Sequence, residues 1–78
     1  MLRESKIISN ILPDHYTVTP KNNRVHCKSV IGIKNDNDWD KFFTSLKQNF
    51  GERFKEVFHN TCTYHVDFSV YIDSNTNY

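Results

Sequence analysis

Three histidines and one carboxylate give this chain its widest chemical range. His15, His26 and His65 fall in three segments that read as strands, and alternation places them on one solvent-facing side with Lys28, Asp67 and Tyr71. Imidazole ligates metals and titrates near neutral pH, so three of them beside Asp67 would make a metal site or an acid–base site. No HxH or HExxH spacing accompanies them, and histidine is an ordinary residue on a wet sheet face. No metal and no cofactor are therefore expected.

Nucleophilic chemistry has less to work with. The chain has two glycines and no GxSxG, CxxC or glycine-rich phosphate loop. Cys27 and Cys62, the only cysteines, both fall in apolar phase, where burial keeps a thiol neutral. Asp36, Asp38 and Asp40 are spaced like half of a calcium loop but lack its glycine and closing glutamate, so helix capping explains them better. Gly51-Glu52-Arg53-Phe54, set in an order of helices and strands, resembles one class of KH domain, but Phe54 stands where that loop needs its second glycine. No family is assigned, no catalytic residue is expected, and the protein reads as a non-enzyme.

Charge narrows the partners. Ten basic against nine acidic residues give +1, far from the cationic excess of a protein that grips duplex DNA through its phosphates. The charge is unevenly spread: residues 1–34 hold six Lys/Arg against two Asp/Glu, and residues 62–78 hold no Lys or Arg. Lys21, Arg24, Lys28 and Lys34 form a candidate nucleic-acid patch, which an open sheet face with Tyr71 could extend.

The elements that must position these residues are legible from periodicity. Ile7, Ile8, Ile11 and Leu12 predict a short helix over 3–12, stopped by Pro13. His15–Thr19 alternates and reads as a strand; Lys21-Asn22-Asn23 supplies turn chemistry; residues 24–33 follow as a second strand, with Val25, Cys27, Ile31 and Ile33 inward. Residues 35–38 offer N-caps to a helix whose stripe of Trp39, Phe42, Phe43, Leu46, Phe50, Phe54, Val57 and Phe58 spans an arc of roughly 160°. Gly51 marks a kink or break in it. Residues 62–72 alternate strictly, with Cys62, Tyr64, Val66, Phe68, Val70 and Ile72 inward, and predict a long last strand.

The expected fold is a small single α+β domain over residues 1–72, in the order α-β-β-α-β, with a three-stranded, mostly antiparallel sheet of order 2-1-3 under one long helix. Residues 73–78 are expected to be a mobile tail. Long strands at the sheet edges would invite pairing, and a homodimer is one expectation.

At 78 residues with a 37% hydrophobic fraction the chain supports one core, and it carries neither a signal-peptide core nor a membrane span. A cytoplasmic protein without membrane contact is expected. Nine Asn, seven Lys and no Ala are what an AT-rich gene encodes, and a reading frame of this length suggests a phage or mobile-element product. The expected function is stoichiometric binding that inhibits or modulates a host protein, such as a defence or replication factor, through His26, Lys28, His65, Asp67 and Tyr71, an exposed strand edge, or the charged residues Lys41, Glu52, Lys55 and Glu56. The alternative is a nucleic-acid-binding module using the basic hairpin and open sheet face.

Overall fold

A computed structural model describes residues 1–73. Helix α1, Leu2–Ile11, buries Ile8 and ends one residue short of the expected 12. Leu12 is already extended (φ −78°, ψ 155°), as a residue before proline must be. Strands β1, Thr17–Pro20, and β2, Arg24–Lys28, form the expected hairpin, with Val18 opposite Cys27 and Thr19 opposite His26. Asn35 then caps helix α2, Asp36–Phe50, its side chain accepting from the Asn37 amide at 2.8 Å. Phe42, Leu46 and Phe50 are the buried stripe of α2.

Beyond Phe50 the structure departs from the periodicity. Gly51 leaves helical space (φ 56°, ψ −127°), a single 3-10 turn spans Gly51–Arg53, and Phe54–Thr61 is strand β3 rather than more helix. β4 covers only Asp67–Ile72, because Tyr64 and His65 both have positive φ (50° and 55°) and turn the chain. Four strands in the order β1-β2-β4-β3, all neighbours antiparallel, replace the expected three in order 2-1-3. β2 therefore lies inside the sheet, not at its edge. β2 and β3 run parallel with β4 between them, and α2 is their crossover.

The inner sheet face contributes Val25 and Cys27 from β2 and Phe68, Val70 and Ile72 from β4 to a core with Ile8, Leu12, Phe42, Leu46 and Phe50. Phe68 meets Tyr16, Trp39 and Phe42 edge to face. Arg53 ties three elements together: it pairs with Glu4 of α1, its Nε donates to the Asp73 carbonyl at 3.0 Å, and its own carbonyl accepts from the Asp73 amide. Burial, the largest single influence, raises the Glu4 carboxyl, but the bond from Arg53, a backbone hydrogen bond and the positive charges of Arg53 and the N-terminus together outweigh it, and the net shift is downward. The exposed edges are blunted: β1 has four residues ending in Pro20, and the β3 register is broken between Phe54 and Glu56 and between His59 and Thr61. The expected mobile tail, apart from Asp73, lies outside the described residues.

Candidate functional site

The outer face of the sheet gathers four of the five residues expected to act together. Cross-strand register sets Lys28 opposite Asp67 and Arg24 opposite Tyr71. His26 Nε2 lies 2.6 Å from Asp67 Oδ1, so the imidazole N–H donates to the carboxylate; this bond, with that from Asn60, holds the Asp67 carboxyl below its ordinary range. The Arg24 guanidinium sits 5.9 Å from the centre of the Tyr71 ring. Phe58, expected in a helical core, projects from β3 onto this face, 54% exposed and opposite Ser69.

His65 and His15 are not on that face, which corrects the three-histidine cluster. The His65 ring stacks flat on Trp39, with centroids 3.7 Å apart, and its Nδ1 shares a proton at 2.8 Å with His59 Nε2. Burial lowers the pKa of both rings; for His65 the neighbouring His59 lowers it further and Asp36 opposes. His15 instead meets Ser29, Nδ1 to Oγ, at 2.7 Å. The Ser29 oxygen already accepts from the Ile31 and Gly32 amides at 3.2 and 3.0 Å, so its hydroxyl proton goes to His15. Both serine lone pairs are thus engaged, and the pair braces a loop. Among the described residues no group of three or more His, Cys, Asp or Glu converges as metal ligands would.

The loop so braced presents a feature the sequence reading missed. Val30 is 98% exposed and Ile31 53%, though Ile31 was expected inward. The facing turn, Cys62–Val66, is stitched to it: Ile33 N donates to the Tyr64 carbonyl at 2.7 Å and Ser29 N to the Val66 carbonyl at 2.8 Å. Tyr64, 53% exposed, lies under the Lys34 ammonium at 5.6 Å. Its left-handed backbone is held against its preference because the next residue's carbonyl accepts from Tyr16 Oη at 2.7 Å while the His65 ring is pinned to Trp39. Beside this apolar tip runs a groove of about 420 Å³ with Leu12, Ile33 and Phe42 in its wall and Lys34, Asp38 and Lys41 among its polar groups.

The chain matches no protein family, no curated protein and no solved structure. Its function must be argued from its own surface.

Of the remaining candidates, Lys21 and Arg24 border the outer face, whereas Lys34 stands at the tip, so the expected four-residue cationic patch is divided. Lys41 belongs to α2, while Glu52 lies in the 3-10 turn and Lys55 and Glu56 on β3, so they share no helix face. Cys27 is buried as expected, and burial pushes its thiol up to about 12; Cys62 is exposed, contrary to expectation. One signal in the sequence did mark the tip: Val30 is apolar but out of phase with Val25 and Cys27, as a residue leaving the strand would be. Among the described residues no helix is long and apolar enough to cross a membrane.

Proposed function

We propose that this is a binding protein that acts by stoichiometric contact with another protein, and that the contact is made by the tip formed by Val30, Ile31 and Tyr64 with the adjoining groove. The observation that carries the reading is Val30, an aliphatic side chain left 98% exposed on a loop whose conformation is imposed by Ser29, His15 and Gly32. Apolar groups on a rigid support bind with little further loss of conformational freedom, as interface anchors do. Strain held at Tyr64 by surrounding contacts supports the same reading, since such strain gathers at working sites.

Lys34 and Lys41 beside the groove favour a partner with an apolar pocket and an acidic rim. The alanine-free, Asn- and Lys-rich composition supports a mobile-element origin, and hence a host protein that is bound and blocked. The test is affinity capture from candidate host extracts, followed by titration of the purified partner with wild type, Val30→Asp and Tyr64→Ser. One-to-one binding that weakens at least about tenfold in the variants, with circular dichroism unchanged, is expected. Equal affinity in all three proteins would overturn the assignment of the tip.

A further inference from the structure

We infer that the outer face of the sheet is a second, independent binding surface, and that its ligand is single-stranded nucleic acid. Phe58 on β3 and Tyr71 on β4 are solvent-face aromatics on adjacent strands. Phe58 stands opposite Ser69 and Tyr71 two residues further along, which makes the two rings diagonal neighbours. They border one shallow depression of about 320 Å³ together with Lys21, Arg24, His26 and Asn60. Two π faces at neighbouring lattice positions of a sheet can each take a base, and this is a sequence-tolerant mode of recognition.

Charge complementarity selects the ligand. Lys21 and Arg24 border the depression and Lys28 continues the same row of β2, so cations line the rim where a backbone would pass. Two carboxylates lie on the face against the three cations: Asp67 is engaged by His26 and Asn60 and has Lys28 opposite it, and Glu56 stands opposite Tyr71. The Asn60 amide adds a group able to meet a base edge. A duplex keeps its bases stacked on one another and offers no free π face, so the same surface discriminates against it. Phe58 is exposed, although an aromatic ring on this face gains nothing from the core of its own chain.

The experiment is fluorescence anisotropy with labelled single-stranded RNA, single-stranded DNA and duplex DNA, at low and near-physiological salt. Proteins compared are wild type, Phe58→Ala, Tyr71→Ala, Arg24→Glu and, as a control on the other surface, Val30→Asp. Expected are binding of single strands at micromolar protein that weakens as salt rises, a loss of about tenfold for each aromatic variant, and a shallower salt dependence for Arg24→Glu. Val30→Asp should bind as wild type does, which separates this surface from the tip. No anisotropy change with any oligonucleotide, preference for the duplex, or binding indifferent to Phe58 and Tyr71 would each overturn the inference. Circular dichroism of each variant establishes that losses are local.

Discussion

The imidazole of His65 lies parallel to the indole of Trp39, within 4° and 3.7 Å between centroids, although His65 itself has a left-handed backbone. The stack joins α2 to the turn before β4. It also brings His65 against His59, so that one ring nitrogen of the pair must donate and the other accept. Two protonated rings cannot share that contact.

Stability should therefore fall with mild acid. Both rings have pKa values lowered from 6.5 in the folded state, by burial first, so the unfolded chain takes up protons at higher pH than the folded one. The stabilisation is complete above 6.5 and is lost as pH falls through 6.5 toward the folded values. Asp67 and Glu4, lowered from 3.8 and 4.5, add their losses only at lower pH. Urea midpoints measured from about pH 8 to about pH 5.5 should decline, and His65→Asn should flatten the decline. An identical slope in that variant would exclude the pair as its source.

Tyr64→Gly should stabilise the fold while weakening contact at the tip. Glycine adopts the left-handed conformation at no steric cost, and relief of strain of about 1 kcal/mol exceeds what a half-exposed ring contributes by packing. Thermal melts measure the first effect and partner titration the second. A lower melting temperature would mean that the turn stores no strain.

Gly32→Ala should destabilise by about 2–3 kcal/mol. A Cβ there would lie 2.1 Å from the Tyr64 carbonyl oxygen and 2.8 Å from Val66 Cγ1, on a backbone with φ +69°. Gly51→Ala is the internal comparison: φ is +56° but nothing lies within 4 Å, so only the backbone term of about 1–2 kcal/mol is at stake. Chemical denaturation of both variants decides, and equal losses would refute the packing argument.

One cysteine should react and the other should not. Cys62 is exposed, while Cys27 is buried with its thiol pushed up to about 12. A thiol reagent at neutral pH should label one site in the native protein and two in denaturant, with mass spectrometry assigning the first to Cys62. Prompt native labelling of Cys27 would contradict the position of β2.

The hairpin, the end of α1 before Pro13 and the Asn35 cap were legible because each rests on local chemistry. β3 was not, for a specific reason. The irregularity between Phe54 and Glu56 shifts the alternation of β3, so Phe54 and Val57 both face the core at a spacing of three. That spacing continues the stripe of α2 from Phe50 and imitates a helix. The turn at Cys62–Val66 was hidden in the opposite way, by an apolar alternation that a strand would share.

The sequence by itself determined a single small α+β domain, its first hairpin, its amphipathic helix and the alternation that turns the polar row His26, Lys28, Asp67 and Tyr71 outward, because periodicity and capping act between near neighbours. The tertiary structure decided the four-strand order, the removal of His15 and His65 from that row, and the two exposed surfaces. Those depend on contacts between distant residues: Tyr16 Oη holds the His65 carbonyl, Ile33 N holds that of Tyr64, and together they sustain a backbone that no local preference would select.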